Sequence, residues 1–223
     1  RFNIYKGEKP DEAIILKFLQ NLKTKMAAYS SQPKISLCVE RDMIYKLNEE
    51  TWKEIDRLVA QYKLLLYDYN RKTKRPASPA PLPEIKDDVR RFLQIVYSPE
   101  KVILGVIGYG FLWIQKDGGD FSYQGSVWYN KGTTFTKASQ IPIIVYLERM
   151  KNGFLPSATG KIVNWDEYSK TPYLAFYSNN KRYEVWYEDK ESLSLKIKEV
   201  VQPFNLKGIA LWQLGMEEDD WLK

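Results

Sequence analysis

Apolar positions along the chain follow the period of a helix in some stretches and that of a strand in others, which predicts an α/β protein. Residues 11–29 have helical spacing, and their apolar side is made by Ile14, Ile15, Phe18, Leu19 and Leu22. Asp11 directly follows Pro10, and its short carboxylate side chain is suited to cap the start of that helix.

Further helices and strands follow from the same two periods. Helices are predicted over 48–62, 85–97 and 143–150, and the first of them turns inward Trp52, Ile55, Leu58 and Val59. Strands are predicted over 2–5, 35–39, 64–69, 101–108 and 208–214. The proline-rich stretch 75–83 predicts a loop.

Several predicted strands are near-continuous apolar runs, which is typical of parallel strands covered on both faces. Their alternation with helices predicts a β/α barrel or a doubly wound sheet. The longest run, 102–114, contains three glycines; it is too short to span a bilayer and predicts a buried strand continuing into a loop. Residues 117–205 break the alternation with strand-like segments at 173–177 and 182–187, which predict a small α+β insertion.

Composition narrows the chemistry. The chain has no His, which excludes Ser-His-Asp, Cys-His and His-based zinc chemistry within it, so carboxylates must carry any hydrolysis. The single Cys38 excludes an internal disulfide and is predicted to be a small buried apolar residue. The net charge of +6 is spread over interspersed charges, which favours a solvated surface over a nucleic-acid site. We predict no cofactor, no metal and no membrane span.

Four segments, in order, resemble glycoside hydrolase family 18. Residues 65–70, LLYDYN, are similar to the Met-x-Tyr-Asp strand end of that family, and the APLP of 80–83 follows as in its chitinase-like and bacterial spore-germination branch. The other matches are KVILGVIGYG at 101–110, VWYED with a following Ser192, and KGIALWQLG at 207–215. Together they cover roughly residues 60–221.

The resemblance implies a TIM (β/α)8 barrel with substrate at the carboxyl ends of its strands. Matched from the last strand backwards, the chain carries about the last five strands. Residues 1–116 then hold barrel strands four to seven, 117–205 the α+β insertion and final helix, and 206–223 the last strand. We therefore expect the first three strands to be supplied by upstream sequence or by a second chain, since half a barrel leaves an open apolar edge.

The same resemblance places the catalytic strand at residues 2–10, FNIYKGEKP. The family needs D-x-x-D-x-D-x-E, in which Glu is the general acid and the Asp two residues earlier orients the N-acetyl group of the substrate. In one register Asn3 is matched, Tyr5 replaces the Asp and Gly7 replaces the acid. In the other, Glu8 is the acid and Lys6 replaces the Asp. Neither register keeps that Asp.

Two other carboxylates, Glu40 and Asp42, follow the predicted strand 35–39 and are further candidate acids.

The binding residues are better matched than the catalytic ones. Tyr67 matches the tyrosine that hydrogen-bonds the N-acetyl carbonyl, and Asp68 matches a sugar-contacting carboxylate. Trp212 matches the aromatic floor of the central subsite. Tyr109 and Trp113 match groove-lining positions.

Three functions follow from the resemblance. The first is a chitinase-like domain that binds an N-acetylglucosamine-containing glycan, such as chitin or peptidoglycan, with lost or weakened hydrolase activity. The second is an active endo-glycosidase that uses Glu8, and the third is a protein-interaction barrel that binds no sugar. The family resemblance also favours a secreted or cell-envelope location.

Overall fold

The computed structural model describes residues 11–31, 33–117, 119–128, 159–178, 180–214 and 221. In these ranges the α-helices are α1 Glu12–Met26, α2 Arg41–Lys46, α3 Glu49–Leu58, α4 Leu82–Ile95 and α5 Lys190–Lys196. A 3-10 turn, Pro99–Lys101, precedes the third strand, and a π-helical turn, Ile197–Val201, extends α5. The predicted strand 2–5 and helix 143–150 lie outside the described residues.

The strands form two sheets. In chain order they are β1 Ser36–Glu40, β2 Gln61–Leu65, β3 Val102–Ile107, β4 Tyr109–Gln115, β5 Phe121–Trp128, β6 Thr159–Asp166, β7 Thr171–Ser178, β8 Lys181–Trp186 and β9 Gly208–Trp212. One sheet has the order β1-β2-β3-β9, with β1, β2 and β3 parallel. The other has the order β5-β4-β8-β7-β6, and its neighbouring strands run antiparallel. The α/β class is confirmed, and the four strands of the first sheet form an open sheet in the described part of the chain.

The chain divides into two compact units. The first comprises Arg1–Leu66, Lys86–Gly105 and Val200–Ala210, and the second comprises Tyr67–Ile85, Val106–Glu199 and Leu211–Lys223. The division 1–116, 117–205 and 206–223 stays a prediction.

The core of the first unit is aromatic. Trp52 of α3, Tyr62 of β2 and Phe92 of α4 are fully buried and meet edge to face, with ring centroids 5.2–6.2 Å apart. The Tyr62 hydroxyl donates to Asp56 Oδ1 at 3.0 Å, so the polar end of this ring is satisfied. Burial, reinforced by the Asp56 charge, raises the pKa of Tyr62 above its ordinary range. The helices thus cover one face of the parallel sheet.

The other face of this sheet is only partly covered in the described residues. Burial alternates along β1 and β2: Val39 is fully buried, whereas Cys38 and Glu40 beside it are exposed. The prediction that Cys38 is buried is therefore wrong, because successive strand residues point to opposite faces and only the face of Val39 lies under helices.

The predicted helix over 11–29 is confirmed as α1, and the Asp11 side chain accepts the Ile14 N–H at 3.1 Å as its cap. The apolar side is narrower than predicted. Ile15 and Leu19, four residues apart, are buried, whereas Ile14 and Phe18 are 57% and 48% exposed. The buried pair lies on the side of α1 that packs against α3, and the exposed pair forms the neighbouring row of the helix surface.

Helix α3 ends four residues before the predicted boundary. Val59 is extended, with φ −106° and ψ 149°, and β2 begins at Gln61. The run YKLLL therefore adopts a strand period rather than a helical one, and its alternate residues Tyr62 and Leu64 are buried. Apolar residues alone do not separate the two periods over so few positions.

The second unit is built on the antiparallel sheet. The predicted segments 173–177 and 182–187 are confirmed as β7 and β8, and two stacked aromatic pairs join them: Tyr173 with Trp186 and Phe176 with Tyr183, at 4.5 and 5.1 Å. The prediction that the run 102–114 ends in a loop is wrong, since β4 follows β3 after Gly108. A side chain at Gly110 would lie 2.3 Å from the Trp186 carbonyl oxygen, so glycine permits the close pairing of β4 and β8.

Candidate functional site

The predicted sugar-binding residues all belong to the second unit, and all but Trp113 of β4 lie at the carboxyl ends of strands of the first sheet. Tyr67 and Asp68 follow β2, Tyr109 follows β3, and Trp212 ends β9. The Gly108 N–H donates to the Trp212 carbonyl at 2.9 Å and so links the ends of β3 and β9. In parallel β/α folds, ligands commonly bind at the carboxyl ends of the strands.

The Asp68 carboxylate is held by two side chains. The Tyr109 hydroxyl donates to Oδ1 at 2.6 Å, and Arg71 Nη2 lies 2.5 Å from Oδ2. Asp68 itself has a left-handed backbone, with φ 66°, a region that Asp enters more readily than most residues. Its side chain remains 27% exposed, so the carboxylate is fixed but still reachable.

Arg71 is the residue of this cluster that the sequence reasoning missed. It lies three positions after Asp68 in the loop, and its guanidinium carbon is 5.6 Å from the centre of the Phe111 ring. Burial, the largest single effect, lowers the pKa of Arg71, but the Asp68 charge and hydrogen bond, together with the nearby Tyr123 and Tyr109, raise it by more, so the net direction is upward. A basic residue three positions after the matched Asp is the signal that could have revealed it.

Tyr109 is the buried side chain that contacts both Tyr67 and Asp68. Its side chain is 6% exposed, and the Tyr67 ring meets it edge to face at 6.4 Å while Tyr67 is itself half-buried. Burial raises the pKa of Tyr109 above its ordinary range, and the Asp68 charge adds to the effect. The hydroxyl therefore remains a neutral donor to Asp68 at any ordinary pH.

Trp113 and Trp212 differ in their surroundings. Trp113 in β4 is fully buried and packs against Tyr123 at 5.7 Å, so in this structure it belongs to the core of the second unit and presents no surface to a sugar. Trp212 is 55% exposed at the end of β9, and its peptide bond to Gln213 is cis. An exposed indole is suited to hold a sugar ring, because sugars present flat C–H faces to aromatic rings.

The candidate catalytic residue Glu8 and the degenerate motif positions Asn3, Tyr5 and Gly7 lie outside the described residues. Of the two further candidate acids, Asp42 pairs with Lys46 at 3.0 Å in α2, and Glu40 is exposed at the end of β1. In the described ranges, no group of three or more His, Cys, Asp or Glu is arranged to hold a metal ion. Those ranges also contain no helix long and apolar enough to cross a membrane.

A buried ion pair stabilises the end of the second sheet. Lys196 Nζ lies 2.6 Å from Glu188 Oε2, both side chains are almost fully buried, and the Ser192 hydroxyl donates to the same oxygen at 2.9 Å. Burial raises the pKa of Glu188, while Lys196 and Ser192 oppose that rise. The sequence match included Glu188 and Ser192 but not Lys196. Helix α5 places the Lys196 ammonium next to the Glu188 carboxylate.

A separate shallow cavity of about 470 Å³ lies in the first unit, at the ends of α1 and α3. Its charged lining residues are Lys23, Lys34 and Arg57, and no carboxylate is among the residues that line it. Carboxylate-based hydrolysis therefore has no acid there.

The comparison with known families assigns the chain. The model of the glycosyl hydrolases family 18 matches residues 3–217, so the chain belongs to that carbohydrate-active family. The resemblance drawn from the four sequence segments is thereby confirmed.

Two relatives come from Bacillus subtilis (strain 168). YdhD, named as a candidate sporulation-specific glycosylase, is 26% identical over 216 residues, which are 95% of this chain and 46% of YdhD. A cortical fragment-lytic enzyme is 22% identical over 161 residues, which are 71% of this chain and 32% of the relative. The chain thus spans less than half the length of these curated relatives.

Solved structures share the fold. The Group IV chitinase of Ostrinia furnacalis, crystallised with allosamidin, matches with a TM-score of 0.71 at 19% identity, over 97% of this chain and 59% of the chitinase. At this identity the match concerns the fold alone.

Proposed function

We propose that this chain binds a glycan containing N-acetylglucosamine and that its hydrolase activity is lost or weakened. The observation that carries the proposal is the exposed Trp212 indole, at the end of β9, in the same unit as the Asp68 carboxylate fixed by Tyr109 and Arg71. Together they offer an aromatic face for a sugar ring and an acceptor for its hydroxyl groups. Tyr67, edge-on to Tyr109, is the proposed donor to the N-acetyl carbonyl.

The names of the relatives support this class of ligand. They describe a glycosylase, a cortical fragment-lytic enzyme and a chitinase, which favours peptidoglycan or chitin as the glycan. A secreted or cell-envelope location agrees with such a polymer. No cofactor is needed in this proposal, because family-18 hydrolysis and glycan binding both rest on side chains of the protein.

The proposed loss of activity rests on the sequence of residues 2–10. Neither register retains the Asp that orients the N-acetyl group, and only one retains an acid, Glu8. In that register Lys6 stands two positions before Glu8, and its ammonium favours the ionised carboxylate, which is the wrong form for a general acid. Loss of a general acid alone typically lowers the rate by about 100- to 10,000-fold.

We also propose that the parallel sheet is part of a TIM barrel completed by polypeptide beyond this chain, as upstream sequence or a second chain. One face of β1 and β2 is partly exposed, and Ile14 and Phe18 of α1 are exposed on the same unit. The curated relatives are more than twice the length that this chain matches. Parallel sheets occur almost always with both faces covered, so we expect a further layer here.

Calorimetric titration of the full-length protein with N-acetylglucosamine oligomers tests the binding proposal, with hydrolysis of the same oligomers and of cell-wall glycan measured in parallel. We expect saturable binding with little or no turnover. Turnover that Glu8→Gln abolishes would establish the alternative of an active endo-glycosidase. Absence of binding to any of these glycans, with Trp212→Ala changing only stability, would instead favour a protein-interaction barrel.

A further inference from the structure

The Arg71 guanidinium is held beside the proposed glycan site from two directions. Nη2 lies 2.5 Å from Asp68 Oδ2, and the carbon of the guanidinium lies 5.6 Å from the centre of the Phe111 ring. Phe111 is fully buried and is itself held edge to face by Tyr123 at 4.8 Å. A long, flexible side chain is thus fixed before any ligand arrives, which lowers the entropy cost of binding.

Arg71 also retains donors that can reach a ligand. A guanidinium has five N–H groups in a planar fork, and the ion pair with Asp68 is made through Nη2. The Arg71 side chain is 46% exposed, so a ligand can approach it. This geometry matches a carboxylate, which a guanidinium binds through two parallel hydrogen bonds.

We propose that Arg71 selects glycans that carry a carboxylate substituent over neutral N-acetylglucosamine polymers. The inference rests on the proposed glycan-binding function and narrows its ligand class. The Asp68 charge offsets that of Arg71, so the preference arises from directed, charge-assisted hydrogen bonds rather than from net charge. Such bonds are stronger than those to neutral groups, and we expect a preference of at least about 10-fold.

The test compares two probes by calorimetry with the full-length protein. One is an N-acetylglucosamine oligomer, and the other is an oligosaccharide of equal length in which alternate residues are N-acetylmuramic acid with a free carboxylate. We expect the wild-type protein to prefer the acidic probe. The ratio of the two affinities is expected to fall to about one in Arg71→Gln and to recover only partly in Arg71→Lys, which keeps the charge but not the planar fork.

Arg75→Gln is the matched control, because it removes an exposed arginine from the same loop outside the Asp68 cluster. It should keep the wild-type ratio, and thermal unfolding should show that all variants are folded. Equal affinity of the wild-type protein for both probes, or equal effects of the Arg71 and Arg75 variants, would overturn this inference and leave glycan binding standing. If neither probe binds, the proposed function fails with it.

Discussion

At the scale of single residues, the proposed site depends on one exposed ring and one fixed carboxylate. Trp212 is half-exposed, whereas Trp113, matched to the same groove, is fully buried. The two tryptophans thus have different roles in this structure: the first offers a surface, and the second fills the core of the second unit. Two side chains fix Asp68. Tyr109 belongs to one of the four segments that match family 18, whereas Arg71 lies just outside them.

Trp212→Ala therefore separates binding from stability. Removing the indole eliminates the aromatic face, and we expect the affinity for the glycan to fall at least about 10-fold. Because more than half of the residue is already exposed, the free energy of unfolding should fall by about 1–2 kcal/mol, less than the 3–5 kcal/mol typical of a fully buried tryptophan. Calorimetric titration and denaturant unfolding measure the two quantities.

Two companion variants control this result. Trp212→Phe retains a ring and should retain part of the affinity. Tyr97→Ala removes an aromatic side chain that is 81% exposed in the first unit and should leave binding unchanged. Equal losses of affinity in the Tyr97 and Trp212 variants would contradict a specific role for the indole.

At the scale of secondary-structure elements, helix α5 is tied to the end of β8 by buried polar groups. Asp189 and Ser192 form a reciprocal capping box at the start of α5, and Ser192 also donates to Glu188. Lys196 in the last turn of the helix completes the cluster. The direction in which α5 leaves the sheet is therefore fixed by hydrogen bonds as well as by packing.

Lys196→Met should destabilise the protein by about 3–5 kcal/mol at neutral pH, since it leaves Glu188 buried without its cation. Burial already raises the pKa of Glu188, and without Lys196 the pKa rises further. The folded variant then holds a proton that the unfolded chain releases above the ordinary Glu pKa of about 4.3, so the penalty grows as pH rises. Denaturant unfolding at pH 4 and pH 7 should show a smaller difference from wild type at pH 4.

Lys198→Met controls for the lost charge, because Lys198 is exposed two residues after the end of α5, in the π-helical turn. It should change stability little at either pH. A pH-independent penalty in Lys196→Met would show that the pair contributes by packing and not by charge.

At the scale of the whole molecule, the partly covered face of the parallel sheet is the main feature. Cys38 and Glu40 are exposed on β1, and the alternate residues of β2 are half-exposed. Ile14 and Phe18 add apolar surface on α1. Surfaces of this kind in a parallel β/α fold are ordinarily interior, which is the physical basis for expecting further polypeptide against them.

If further polypeptide completes the barrel as proposed, the 223-residue chain on its own should behave differently from a protein that includes that polypeptide. We expect the isolated chain to bind a hydrophobic dye, to associate at micromolar concentration and to melt broadly, because this face is only partly covered by the described residues. The full-length protein should remain dispersed and melt in one sharp transition. A monomeric isolated chain with a cooperative melt and no dye binding would argue against a missing layer.

Elements could be predicted from the sequence where the helical or strand repeat of apolar residues continued over many positions. The period of α1 and the capping role of Asp11 were evident, as were β7, β8 and the family match. The boundary between α3 and β2 was not, because the run YKLLL at 62–66, in which four of five residues are apolar or aromatic, fits either period. Strand β4 was also missed, since Gly108 and Gly110 indicate a loop unless the close approach of Trp186 is known.

The sequence by itself determined the α/β class, the family and the exclusion of histidine chemistry, and it predicts the loss of the orienting Asp, because these depend on residue identity and local spacing. Only the tertiary structure decided that Trp113 is buried, that Cys38 is exposed and that Arg71 binds Asp68. Each of these depends on which face of an element is covered and which loops meet. Which face becomes buried and which loops come into contact depend on residues far apart in the sequence, so no local pattern of residues specifies them.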